Sequence, residues 1–355
     1  MSEMPEKYNS KFYDFFESYN SKKYNSYYLP LVVKKNINKK NNIDLSCKNT
    51  KRRIISLLKH LCFKKYEIII FHGFFYNWKY LLLIYFSFLI INGKKKIIWQ
   101  IWGGDLYFYK NKTNSLNDRF TEYLRKKVIP KFHGISALTD GETELVSRIY
   151  NFKRERFNAF YPLPAEFHKY IDIDISNEYF RISNSKYFIV GNSGDPTNNH
   201  IEIIDKLYKL NYNEFLYFPL AYGNIKYINE VILYAQKKFP KKCYFQTHMV
   251  HPEQYNFILL NSQGGIFNHN RQQGLGNILT LLYYEKMVFM RDDVLSFKDL
   301  TSRGIKLFNI DNLKEINNSI RGTNNKKLIL ENFSEIKAFE LWDSMLQGIL
   351  HEKNK

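Results

Sequence analysis

Cysteine is scarce in this chain. Its three residues, Cys47, Cys62 and Cys243, form no CxxC pair and no cluster with metal-ligand spacing. That excludes a disulfide framework and fits a reducing compartment. Long apolar runs are missing as well. The most apolar stretch, "LLLIYFSFLII" from Leu81 to Ile91, stops at Asn92-Gly93-Lys94, well short of the ~20 residues of a spanning helix. It reads as a buried helix. The opening "MSEMPEKYNS" has no apolar core, so no secretory signal is expected there. No P-loop, GxSxG or zinc-finger spacing occurs, and no GxGxxG follows the first expected strand. The signatures of P-loop enzymes, α/β-hydrolases and sugar-nucleotide epimerases are therefore absent.

Acidic residues are also few: 34 Asp and Glu face 53 Lys and Arg, a formal charge of +19. Such an excess points to an anionic partner, which could be nucleic acid, a phosphorylated ligand or an anionic membrane surface. The general richness in Lys, Asn, Ile, Tyr and Phe accounts for part of it without any function. A nucleic-acid binder would interleave bases with aromatics on one surface. Here the aromatics fall mostly inside apolar strands and helices, so no nucleic-acid partner is expected.

What is present is alternation. The first 60 residues are irregular and basic. After them "EIIIF" (67–71), "KIIWQIW" (96–102) and "GISAL" (134–138) read as buried strands. Helices are expected over about 77–91 and 113–128. A third should start at 142, after a T-x-x-E capping box formed by Thr139 and Glu142. The proline-containing stretch from Tyr161 to Lys186 reads as a boundary. Its Asp172-Ile173-Asp174 is expected to be solvated. A second series follows, with strands at 187–190, 215–218, 243–246, 265–267 and 287–290. Between them lie helices over "IEIIDKLYKL", around Ile225, Ile228 and Ile232, from His251-Pro252 to Gly264-Gly265, and around Leu275, Ile278, Leu279 and Leu282. A C-terminal helix carries Leu341, Trp342, Met345 and Ile349. Such alternation predicts α/β parallel sheets covered on both faces. The expected division is 1–165, 180–330 and a helix within 331–355, giving two doubly wound Rossmann-like domains facing a cleft.

Ligands bind beyond the carboxyl ends of parallel strands, and the unusual residues gather there. After the first series come His72-Gly73, "GGD" (Gly103, Gly104, Asp105) and Thr139-Asp140. After the second come "GNSGD" (Gly191, Asn192, Ser193, Gly194, Asp195) and "NHNRQQGLGN", which ends at Asn277. The glycines at 73, 103, 104 and 191 would let the backbone turn and a ligand approach. Asp105 is the first choice for a base and His72 the second; the alternative for Asp105 is to cap the following helix. Arg271, Gln272 and Gln273 precede Gly274 and Gly276 at the start of a helix, a pattern suited to a diphosphate. Asn192, Ser193 and Asp195 would close on it from the other side, unless that loop is an ordinary turn capped by Asn198. His248 and His251 lack a third metal ligand at useful spacing, so no metal site and no cofactor are expected.

The segments "FHGFFYNWKYLLL", "WQIWGGDLY", "VGNSGDPTNNHI", "PLAYG" and "FNHNRQQGLGNILTLL" resemble glycosyltransferase family 56. These are the 4-acetamido-4,6-dideoxygalactose (Fuc4NAc) transferases of enterobacterial common antigen synthesis. The resemblance runs from about residue 67 to 295, with no comparable match before or after. It implies a GT-B architecture, a TDP-linked sugar donor held mainly by the C-terminal domain, and no metal. It also implies a polyprenyl-diphosphate-linked glycan acceptor at the cytoplasmic face of the bacterial inner membrane. There the protein would sit peripherally, its basic residues against anionic lipid. Another nucleotide-sugar or acceptor is the alternative.

Overall fold

The structure, a computed structural model, describes residue 15 and residues 57–63, 66–91, 95–110, 115–160, 185–317 and 323–351. The chain divides into two compact units, 1–162 with 336–355, and 163–335. The expected boundary stretch with its D-x-D, and almost all of the irregular first 60 residues, lie outside the described residues.

The first unit is built on a four-stranded parallel sheet in the order β1 (Ile68–His72), β2 (Lys96–Gln100), β3 (Gly134–Ser136) and β4 (Glu155–Phe157). Sequence reading missed β4, whose "ERF" is short, charged and exposed on two of its three residues. Helices α1 (Trp78–Ile91), α2 (Leu116–Val128) and α3 (Asp140–Tyr150) connect the strands. The capping box is not formed. Helix α3 starts two residues earlier than expected, and the Thr139 hydroxyl lies 3.4 Å from the Glu142 carboxylate instead of meeting a backbone N–H.

The C-terminal helix, α10 (Glu335–His351), returns to this first unit. Its Trp342 is fully buried, donates its indole N–H to the Phe160 carbonyl at 2.9 Å, and stacks on His72 with ring centroids 5.9 Å apart. It is therefore part of the first core, not an appendage to the second.

At the carboxyl ends of β1 and β2 lies a buried polar knot. Gly103 adopts φ +86°, and its carbonyl accepts the N–H groups of Leu106 and Tyr107, so the glycine turn opens a short 3₁₀ helix. Asp105 is 1% exposed. One carboxylate oxygen accepts the Phe74 N–H (2.8 Å) and the Trp99 indole N–H (2.7 Å); the other accepts the Trp102 N–H (2.9 Å). Arg125, equally buried, donates at 2.7 Å to the carbonyls of both Phe74 and Asp105. Its guanidinium lies between the rings of Phe74, Trp99, Phe108 and Tyr150. Burial pushes the Asp105 carboxyl above the ordinary range, while the N–H donors and Arg125 pull it back.

This corrects the expectation for Asp105. Its carboxylate does not stand at an open edge, and it does not cap a following helix. It closes the turn and holds the loops after β1 and β2 together. Gly104, beside it, is half-buried in the same turn.

The second unit has a six-stranded parallel sheet: β5 (Tyr187–Val190), β6 (Phe215–Pro219), β7 (Cys243–Gln246), β8 (Gly264–Phe267), β9 (Met287–Met290) and β10 (Phe308–Asn309). Their spatial order is β7-β6-β5-β8-β9-β10, which is the 3-2-1-4-5-6 order of doubly wound nucleotide-binding sheets. The connecting helices are α4 (His200–Lys209), α5 (Ile225–Lys238), α6 (Pro252–Asn261), α7 (Leu275–Tyr283) and α8 (Leu295–Ser302); α9 (Asn325–Phe333) packs on α7. Strand β8 begins one residue before the expected 265–267, at Gly264, a residue expected to close α6. A Cβ on Gly264 would sit 2.1 Å from the Met287 carbonyl oxygen, so glycine here serves close strand packing.

Asp105→Asn keeps the side-chain volume but turns an NH2 toward at least one N–H donor and removes a buried negative charge near Arg125, whose ion-pair partner is Glu122. The expected cost is about 2–4 kcal/mol, read as a lower urea midpoint, with nucleotide affinity in the second unit unchanged. Full stability combined with lost turnover would restore Asp105 as the base.

Candidate functional site

In the second sheet the chain leaves β5 toward β6 on one side and leaves β8 toward β9 on the other. This reversal is the topological switch point, the place in a doubly wound sheet where ligands bind between the loops that follow the two central strands. These loops are residues 191–199 and 268–274, which hold the two glycine-containing motifs singled out in the sequence.

Asn198 joins the loops. Its side chain is 1% exposed. The amide oxygen accepts the Asn192 N–H (2.9 Å) and faces His269 Nε2 (3.0 Å); its NH2 donates to the Asp195 carbonyl (3.0 Å) and lies 3.3 Å from the Ser193 hydroxyl. Gly191 makes room for it. With φ +72°, a Cβ there would lie 2.8 Å from Asn198 Oδ1 and 2.4 Å from His200 Nε2. The Asn199 side chain adds a bond to the Asn268 carbonyl at 2.8 Å.

Opposite Asn198, Arg271 lies 3.5 Å from Asp195 and donates to the Gln272 carbonyl at 3.2 Å. Burial works against the Asp195 charge. The Thr197 hydroxyl and N–H, with Arg271 and His269, outweigh burial and hold the carboxyl below its ordinary value. The Thr197 hydroxyl also lies 2.8 Å from the Gln273 carboxamide. Arg271 is thus weakly paired at the mouth of α7, held by a long, half-exposed contact that a stronger anion can displace.

Helix α7 points its first N–H groups at the same place. Its N-cap, Gly274, has φ +65° and faces Asn192 and His269, 3.0 and 3.1 Å from an added Cβ. A Cβ on Gly276 would meet nothing within 4 Å; glycine there leaves open space above the helix end. The Asn277 side chain donates to the Tyr255 hydroxyl at 2.7 Å. On the same two loops, the amide oxygens of Asn192, Asn268 and Gln272 and the NH2 of Gln273 are buried without a partner among the described residues; the Asn268 NH2 donates to Glu202 at 2.8 Å. Buried polar atoms are normally paired, so three orphaned acceptors on these two loops mark where a ligand supplies donors.

The structure therefore brings together Gly191, Asn192, Ser193, Asp195, Arg271, Gln272, Gln273, Gly274, Gly276 and Asn277. It adds Asn198, His269 and Asn268, which sequence reading treated as turn or loop residues; nothing in their spacing distinguishes a buried hub from a cap. His72, Gly73, Gly103, Gly104 and Asp105 lie in the first unit. His72 is half-buried, and desolvation lowers its imidazole to about 3. Gly73 adopts φ +79° as β1 ends. His251 lies 3.4 Å from Glu253, and no group of three metal-ligating side chains occurs among the described residues.

Two buried histidines make the second unit sensitive to acid. Burial lowers His200 to about 4, and burial with the nearby His200 and Arg271 lowers His269 to about 3. Both lie below the unfolded value near 6.5, so the unfolded chain binds more protons as pH falls. The stability is present above pH ~6.5 and is lost below it, by roughly 2 kcal/mol per histidine at pH 5. Denaturant midpoints at pH 7 and 5 should show this loss, and His269→Gln should flatten it.

The fold is shared with solved glycosyl-transfer enzymes. Anabaena HepE, determined with UDP and glucose, aligns at TM-score 0.61 and 11% identity, over 83% of this chain and 81% of that one. The UDP-forming alpha,alpha-trehalose-phosphate synthase of Burkholderia xenovorans, determined with glucose-6-phosphate, aligns at 0.59 and 10%, over 84% and 74%. The trehalose-6-phosphate synthase OtsA aligns at 0.59 and 9%, over 85% and 75%. The architecture is GT-B, with two Rossmann-like α/β domains. The sequence model described as "4-alpha-L-fucosyltransferase glycosyl transferase group 56" matches residues 1–344, so the likeness also takes in the first 60 residues and most of the C-terminal segment, contrary to the narrower extent read from motifs. The chain belongs to that family and is a glycosyltransferase enzyme.

Proposed function

We propose that the enzyme transfers a 4-acetamido-4,6-dideoxygalactose (Fuc4NAc) residue from a TDP-linked donor to a polyprenyl-diphosphate-linked glycan. The observation that carries the donor reading is the switch-point crevice. There Arg271, the amino end of α7 and three unpartnered carboxamide oxygens converge. Neighbours of the same fold hold UDP or UDP-glucose, which supports a nucleoside-diphosphate donor. The family resemblance supports the sugar, the base and the acceptor.

In this reading the donor diphosphate draws Arg271 away from Asp195 and lies against the first amides of α7, near Gly274, Gly276 and Asn277. Asn192 and Gln272 accept hydrogen bonds from donor hydroxyl or base N–H groups. The acceptor oxygen attacks the anomeric carbon and the bond to the diphosphate breaks. The negative charge gathering on the departing nucleoside diphosphate is met by Arg271 and the helix amides. The acceptor proton goes to a general base, for which the sequence offers Asp105 and His72. Asp105 is enclosed by its three donors, which leaves His72. Burial lowers its imidazole to about 3, so it is neutral but weakly basic, and it takes the proton only if the bound acceptor or donor offsets that desolvation.

Arg271→Ala should weaken TDP binding by about 2–4 kcal/mol in calorimetric titration, and Arg271→Lys should fall between, since it keeps the charge and loses the fork. His72→Gln should lower kcat about 10²-fold with TDP affinity retained. Transfer assays with TDP-Fuc4NAc, other TDP-sugars and UDP-glucose test the donor: a preference for UDP-glucose would overturn the assignment of sugar and base.

A further inference from the structure

Helix α1 is apolar on every side, yet one side is not covered. Lys79, Leu83, Phe86 and Ile90 follow one line along it, with Leu89 beside them, while Leu82 packs on the core. Phe86 is 54% exposed, Leu89 66% and Ile90 59%. Helix α2, packed against α1, presents a matching line of Leu116, Phe120, Tyr123 and Lys127, with Leu116 79% exposed. The two lines are joined where Trp78 meets Phe120, ring centroids 5.8 Å apart; Tyr123 stacks beyond it at 6.3 Å.

Cations edge this apolar surface. Lys79 lies over Trp78 (5.5 Å), Lys127 over Tyr123 (5.6 Å) and Lys131 over Tyr85 (5.2 Å), while Arg119 and Lys126 are exposed on α2. The acidic residues of these helices, Asp118 and Glu122, are half-buried, and Glu122 is paired with Arg125. An exposed aliphatic face with an aromatic belt and, among the described residues of these helices, a basic rim has the composition of an interfacial helix pair.

We infer that α1 and α2 form the surface by which this enzyme docks on an anionic lipid bilayer, its apolar side chains entering the boundary between headgroups and acyl chains. Charge complementarity selects this occupant. A second copy presenting the same face would set the basic rim against itself. A nucleic acid would leave Leu83, Leu89 and Ile90 without apolar partners. The contact is interfacial: α1, with 14 residues, is about 21 Å long against a hydrocarbon core of ~30 Å, and no helix among the described residues is long and apolar enough to cross a membrane. The docking suits a lipid-linked acceptor but rests on the surface alone.

The test is co-sedimentation of the full chain with phosphatidylcholine vesicles, with and without about one-third phosphatidylglycerol, containing no acceptor. Wild type should pellet with the anionic vesicles and be released in part by salt. The triple variant Phe86→Ser, Ile90→Ser, Phe120→Ser should bind about tenfold or more weakly at low salt. Lys79→Ser, Lys126→Ser, Lys127→Ser should bind more weakly and lose the salt dependence. Thermal unfolding and TDP affinity should stay at wild-type values, which separates lost docking from lost fold. Equal wild-type binding to neutral and anionic vesicles, or wild-type binding by the apolar variant, would overturn the inference. So would a dimer in sedimentation velocity that the same substitutions abolish. If docking holds while transfer to a lipid-linked acceptor fails, the acceptor reading falls and the surface stands.

Discussion

Every strand in both sheets runs parallel to its neighbours, and the rest of the structure follows from that constraint. Parallel pairing obliges the chain to cross back over a face between strands, so helices cover the sheets and the strands can be apolar throughout. It also delivers every strand's carboxyl end to one edge. The polar and glycine residues excluded from the strands collect there. In the second unit the strand order reverses at β5 and β8, so two of those loops flank the topological switch point. The site is a consequence of topology before it is a matter of particular side chains.

Two arginine–aspartate combinations show how surroundings assign opposite work to the same groups. Asp105 and Arg125 are both enclosed, and neither meets the other side chain to side chain; Asp105 accepts from backbone and indole N–H groups of neighbouring loops, while Arg125 donates to two loop carbonyls and to the Tyr150 hydroxyl and pairs with Glu122. That is scaffolding, because the buried charges and donors stay satisfied only while the loops stay in place. Arg271 and Asp195 meet at 3.5 Å where both are partly open to solvent. A pair of that kind contributes little to stability and leaves the guanidinium available for exchange.

Rigidity and openness are divided in the same way at the crevice. Asn198 is buried and saturated, so the spacing between the loops is set by protein groups alone. Three carboxamide oxygens around it lack partners, and an unpaired buried acceptor is costly. The protein thus carries an energetic deficit at the place where a ligand can relieve it, inside a frame that does not need the ligand to hold its shape.

The sequence by itself determined the class of the fold, the alternation of strand and helix, and the two glycine loops of the second unit. It could do so because apolar periodicity and glycine before a helix report local geometry, which depends on neighbours along the chain. It also carried the family resemblance. Only the tertiary structure decided that Asp105 is enclosed, because a carboxylate after two glycines looks the same whether Phe74, Trp99 and Trp102 surround it or water does. Only the tertiary structure made Asn198 and His269 a hub, since their contact spans 71 positions of sequence. It decided too that α10 belongs to the first core, where Trp342 meets the Phe160 carbonyl 182 residues away, and that α1 keeps an uncovered apolar side. Burial and long-range pairing are properties of the packed chain, and one strand of sequence does not encode which of its faces will find a partner.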